Sequence, residues 1–166
     1  PETAFTYIAA QGTLPPASGN DLRRLLWKER VAPSKSPAGM AARRQAAFDE
    51  VCYQRTDRFA QFVNAPSDAE AVAALIQDSV LAKDSTDRVA PAHDVLEDWS
   101  LIFRVEREVR SAERDWGALF TRLGSHAGMR RALRSWTAEK SAVGDEDAYG
   151  LLEAALRPDP AIPQLW

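Results

Sequence analysis

An all-α fold is predicted for this chain: a helical bundle of five or six helices with one long central helix and extended terminal arms. Three observations predict it. Apolar residues recur at spacings of three and four along most of the 166 residues. Ala, Leu, Arg and Glu, which favour helix, are abundant throughout. Neither a sustained apolar-polar alternation nor an Asn-Gly or Asp-Gly hairpin signal interrupts the pattern.

The elements follow in order. Residues 1–19 hold Phe5, Tyr7 and Ile8, then Gly12, Pro15, Pro16 and Gly19, an apolar, turn-rich arm expected to lie across another surface. Asn20 is placed to cap a short helix carrying Leu22, Leu25 and Leu26, which Pro33 stops. Ser36 and Pro37 form a cap and first-turn pair, and Met40, Phe48, Val51, Cys52, Phe59, Phe62 and Val63 then predict a helix over 37–63. Ser67 and Glu70 make a capping box ahead of Val72, Leu75, Ile76 and Val80, predicting a helix over 68–82. The polar stretch 83–91, ending in Pro91, reads as a loop.

From Val95 to Leu123 the apolar residues include Trp99, Ile102, Val105, Val109, Trp116, Leu119 and Phe120, the strongest periodicity in the chain. A single helix over 92–123 would be about 45 Å long, so it either bends near Gly117 or extends to meet a partner. Gly124 terminates it, Ser125 caps a helix with Met129, Leu133 and Trp136, and Asp145 caps a last one presenting Tyr149, Leu152, Ala155 and Leu156. Pro158, Pro160 and Pro163 make 158–166 an extended tail. With no repeat of 20 to 50 residues, residues 1–166 read as one domain.

Composition narrows the function classes. No apolar run is long enough to span a bilayer, and the single cysteine, Cys52, allows neither an internal disulfide nor a multi-thiolate metal site. A cytoplasmic setting is the expectation. The chain opens on Pro1 without a basic and apolar leader, as expected for a module of a larger assembly. The motifs of zinc proteases, EF-hands, P-loops and dinucleotide sites are missing, so no cofactor and no metal is expected.

Only two histidines are present, His93 and His126. His93 stands one turn before Glu97, spaced to share a metal or a proton, but acids in a first helical turn are accounted for by the helix dipole. Arg88 and His93 have the spacing arginine, four residues, histidine, which resembles the HEPN family of small helical-bundle ribonucleases. That resemblance implies His93 as acid-base catalyst and Arg88 as phosphate stabiliser, normally paired across a dimer and without metal. Val89 stands where the family usually carries a polar residue, and Pro91 falls inside a segment the family keeps helical. Cys52, on an apolar face with Phe48 and Phe59, reads as packing; Ser85, Thr86 and Ser125 read as turn and cap residues.

Charge is uneven. Residues 1–60 carry nine bases and six acids, 61–121 six and twelve, and 122–166 six of each. Arg43, Arg44, Arg130, Arg131 and Arg134 form a candidate nucleic-acid patch, although the net charge of −3 argues against a broad one. The favoured function is protein-protein interaction, as an adaptor or regulatory domain with another protein or a second copy as partner, rather than catalysis. Its candidate anchors are Trp27, beside Lys28 and Arg30, and Trp166, beyond the prolines, with Arg107, Arg110 and Arg114 on the long helix.

Overall fold

A computed structural model describes residues 19–156. The predicted arm and tail, and with them Trp166, lie outside the described residues, except that Gly19 already opens the first helix. Seven α-helices and one two-stranded hairpin are present among the described residues: α1 (Gly19–Arg30), α2 (Met40–Arg58), α3 (Ala69–Gln77), β1 (Leu81–Lys83), β2 (Val89–Pro91), α4 (Asp94–Ala112), α5 (Trp116–Leu123), α6 (Ala127–Ser141) and α7 (Glu146–Leu156). The all-α class and the central helix hold, while the helix number exceeds the expected five or six.

Most of the difference comes from where helices stop. The long helix breaks at Glu113 and Arg114, both left-handed (φ 48° and 68°), and Asp115 recaps the chain by accepting from the Ala118 N–H at 2.9 Å. The predicted 92–123 helix is therefore α4 plus α5, bent three residues ahead of Gly117. α2 starts at Met40 after Gly39 (φ 80°), not at Pro37, and ends where Phe59 turns left-handed (φ 51°). α3 takes Asp68, not Ser67, as its cap, with the Asp68 carboxylate accepting from the Ala71 N–H at 3.1 Å. Ser79 (φ 55°) then turns the chain out of helix into β1.

The stretch read as a loop is a hairpin. β1 and β2 pair antiparallel with Leu81 opposite Pro91 and Lys83 opposite Val89, and Val63 exchanges both backbone hydrogen bonds with Val89 at 2.8 and 2.9 Å. Asp84 organises the turn, accepting from the Thr86 N–H at 2.8 Å and the Arg88 N–H at 3.0 Å. Burial pushes the Asp84 carboxyl up, but these hydrogen bonds, with those from the Thr86 hydroxyl and the Arg88 guanidinium, outweigh it and hold it at about 2.

α4 is the hub: it packs on α6, α2 and α5 and touches β2. The core gathers Phe48 and Val51 from α2, Leu75 from α3, Leu101 and Val105 from α4, Leu119, Phe120 and Leu123 from α5, and Met129 and Trp136 from α6. Each such side chain contributes about 1.5–3 kcal/mol on burial, so the centre of the bundle carries most of its stability. α7 lies at the edge, resting mainly on α6.

Candidate functional site

The α2–α4 seam is the most polar part of the interior. Asp49 of α2 accepts from the Ser100 hydroxyl and, at 2.9 Å, from Arg107. One turn on, Arg55 donates to Glu97 at 2.8 Å. Burial pushes the Asp49 carboxyl up against the opposing Ser100 and Arg107 contacts. Burial also raises Glu97, where Arg55 opposes the shift and Asp94 and Asp98 reinforce it. Cys52, fully buried beside them, has its thiol pushed well up by burial and by Glu97, which suppresses the thiolate. These contacts hold α2 and α4 together.

Arg88 and His93 are not brought to one cleft by any contact between them. Arg88 closes the hairpin turn, paired with Asp84 at 2.9 Å. His93 is the exposed N-cap of α4, with no side-chain capping bond. Residues between them form β2, not the helical segment that the HEPN resemblance implies. Glu97 is committed to Arg55, so the His93–Glu97 pairing is not formed either. His126 lies with Nε2 3.0 Å from Asp57.

Most of the arginines singled out in the sequence are held by acids. Arg43 pairs with Asp68 at 2.6 Å and Glu70 at 2.8 Å, which raise it further and, through its two bonds to Asp68, bring that carboxyl down to about 2. Arg44 is buried, donating to the Arg30 and Val31 carbonyls at 2.8 and 3.0 Å and to Asp78 at 2.6 Å. It belongs to the interior and leaves the proposed surface patch. Arg131 pairs with Asp98, Arg130 is half-buried, and Arg134 is exposed. Arg107 pairs with Asp49, Arg110 with Glu106, and Arg114 with Glu146 and Asp147, both at 3.0 Å. Glu106 is buried and gathers Arg24, Arg110 and Lys140.

Trp27 is a core residue. It is 5% exposed, edge-on to Phe48 at 5.6 Å and Phe103 at 5.0 Å, so its apolar ring has no surface left for a partner. Its charged sequence neighbours, Lys28 and Arg30, are the exposed ones.

Exposed large apolar side chains lie elsewhere, Phe59 and Val95 singly, and a group on α7 with Val143 in the loop before it. Val143 is 78% exposed, Tyr149 53%, Leu152 41% and Leu156 86%. Tyr149 donates to the Ser141 carbonyl at 3.1 Å, which ties the start of this stripe to the α6–α7 loop that carries Val143. No protein-family model and no curated protein matches the chain. The geometry of α7 therefore has to speak for itself. Its inner side is Ala148 and Leu151, both buried, with Gly150 set against Trp116, where an added Cβ would sit 3.2 Å from the indole ring. Its outer side carries Tyr149, Leu152 and Leu156, three of the apolar residues that the sequence places on this helix. The sequence clue was there: α7 has more apolar positions than one packed face uses.

A groove of about 200 Å³ lies between α4 and α6, lined by Val95, Trp99 and Ile102. Ion pairs close its sides, Arg23 with Glu139 and Arg131 with Asp98. These pairs engage the Arg23 and Arg131 terminal nitrogens, while Arg23 Nε is buried without a hydrogen-bond partner. Among the described residues no cluster of three or more His, Cys, Asp or Glu side chains is set to hold a metal, and no helix is long and apolar enough to cross a membrane.

Proposed function

We propose that this chain is a protein-binding helical module, an adaptor or regulatory domain, and that its contact face is the outer side of α7. The exposed row of Tyr149, Leu152 and Leu156 on α7, with Val143 in the loop before it, carries this reading. Single exposed apolar residues are ordinary, whereas a contiguous row on one helix, opposite an already packed face, is the pattern of a docking surface. Tyr149 supplies a rigid aromatic anchor, and the Arg114–Glu146–Asp147 cluster beside it supplies a polar rim. Arg114, one of the three arginines expected at an interface, thus lies next to the apolar face. The commitment of Arg43, Arg44, Arg88 and Arg131 to carboxylates favours protein over nucleic acid as the ligand, because a phosphate backbone would have to displace those acids.

The test is capture from the native host with the full chain as bait, at two salt concentrations and with nuclease, beside the surface variant Leu156→Glu. A stoichiometric protein that survives salt and nuclease and is lost with Leu156→Glu is the expected result. Recovery of nucleic acid alone, disappearing at higher salt, would move the function to Arg130, Arg131 and Arg134.

A further inference from the structure

We propose that α1 is an ion-latched strap: its amino-terminal half, held by two arginine–glutamate pairs, lifts off the α4–α6 groove while its carboxyl end stays clamped. This is independent of the protein-binding reading of α7 and uses none of its residues.

The helix is fixed at one end only. Trp27 is its one buried residue, edge-on to both Phe48 and Phe103. Four residues on, Val31 is fully buried, and Arg44 donates to the Arg30 and Val31 carbonyls at 2.8 and 3.0 Å. The other half, residues 19–26, buries no residue. Because α1 makes few of the close backbone approaches that join α4 to α2, α5 and α6, side chains must hold it. Arg23 donates to Glu139 of α6 through both terminal nitrogens, at 3.0 and 2.5 Å. Arg24 donates to both carboxylate oxygens of Glu106 on α4, at 2.8 and 3.0 Å.

Lifting this half strands no charge. Glu106 keeps Arg110 at 2.8 Å and Lys140 at 3.6 Å, and the Glu139 side chain is already 42% exposed to solvent. The closed form, by contrast, leaves a donor unmet: Arg23 Nε is buried without a hydrogen-bond partner, and water reaches it once the strap lifts. A segment tied by ion pairs, with little apolar burial and an unsatisfied donor when docked, belongs to the low-stability end of a fold. Its opening changes the groove. Arg23 lines that groove beside Trp99 and Ile102, and Glu106 stands one turn beyond Ile102 on α4, so the lifted strap removes a wall and extends the trough by that turn.

Amide hydrogen exchange of the full chain in low and raised salt reads the strap. Amides 23–26 are expected to exchange through a small opening with a shallow denaturant slope. Those of Val31 and Ala32, which donate to the Trp27 carbonyl at the clamped end, are expected to exchange more slowly. Salt screens the two pairs, so raising it should speed the 23–26 group alone. Arg23→Gln with Arg24→Gln is expected to speed that group by about fivefold, the loss of two pairs of ordinary strength, while unchanged α4 amides report an intact bundle. Arg23→Glu should open the strap by facing Glu139, and adding Glu139→Arg should close it again, a rescue that a change in helix propensity would not give.

Amides 23–26 that exchange only with global unfolding overturn the inference and make α1 a fixed wall of the bundle. Exchange there that is fast but indifferent to salt, to the glutamines and to the charge swap overturns the ionic latch. Val31 and Ala32 exchanging as fast as residues 23–26 overturns the clamp, since α1 then leaves as a whole.

Discussion

At the scale of single residues, burial decides which charged groups matter. Arg44 is the clearest case: its guanidinium ties the end of α1 to α2 and α3 through the Arg30 and Val31 carbonyls and Asp78. Replacing it with Met keeps the apolar stem but leaves two carbonyls without donors, and Arg44→Met is expected to cost about 3 kcal/mol in denaturant unfolding. Arg44→Lys restores the charge without the planar fork and should recover only part of that loss. A change below about 0.5 kcal/mol, the usual range for surface substitutions, would show that water replaces the guanidinium. Asp68 makes the opposite prediction, because its pair with Arg43 is open to solvent. Its carboxyl is held at about 2, below the roughly 3.9 of an unfolded aspartate. A lowered carboxylate stabilises the fold above the unfolded value and loses that contribution as pH falls through the folded one. Asp68→Asn keeps a side chain able to cap α3, so the comparison isolates the charge. The wild type's higher urea midpoint is expected in full above pH ~4 and to vanish near pH 2. An equal gap at both ends would show that the difference does not come from the Asp68 charge.

At the scale of elements, close approach and chain reversal set the geometry. α6 crosses α2 at Gly128, where an added Cβ would stand 2.9 Å from Thr56 Cγ2 and 3.3 Å from Leu101. Thr56 is buried and cannot swing away, so Gly128→Ala is expected to destabilise by about 1–3 kcal/mol despite alanine's better helix propensity. A stabilised Gly128→Ala in thermal or urea unfolding would mean that α6 shifts freely. The same scale explains what the sequence disclosed. Periodicities of three and four marked α2, α4, α6 and α7, because each buries a stripe on its neighbours. The hairpin escaped notice because its strands are three residues long, too short to alternate, and β2 is buried along its whole length. The α4–α5 break escaped notice because two ordinary polar residues, Glu113 and Arg114, take the left-handed turn that glycine usually marks. For the candidate site, the apolar positions of α7 were legible. Their outward orientation was not, since it depends on Gly150 seating against Trp116. Trp27 was misjudged for the complementary reason: a tryptophan flanked by cations in sequence can still point inward when Phe48 and Phe103 arrive from other helices.

At the scale of the whole molecule, stability is graded from centre to edge, and the candidate interface lies at the edge. α4 touches α2, α5, α6 and β2, so opening it exposes most of the core. α7 rests mainly on α6 and buries only Ala148 and Leu151, so it is expected to open while the rest of the bundle stays packed. Amide hydrogen exchange should separate the two. Amides from Leu101 to Val109 are expected to exchange only through global unfolding, following the denaturant slope of the full transition, whereas those of α7 should exchange through a smaller opening with a shallower slope. Covering the outer face of α7 by association adds protection to α7 alone, because binding stabilises only the state in which α7 is docked. Exchange at α7 should therefore slow when a protein captured through this face is added, while α4 amides, already limited by global unfolding, change by no more than the stability that binding adds. Leu156→Glu should abolish that slowing and leave the pattern of the chain alone unchanged. Uniform exchange across α4 and α7, with and without the captured protein, would instead describe one cooperative unit, in which α7 is an integral wall of the bundle and its apolar row takes no part in binding.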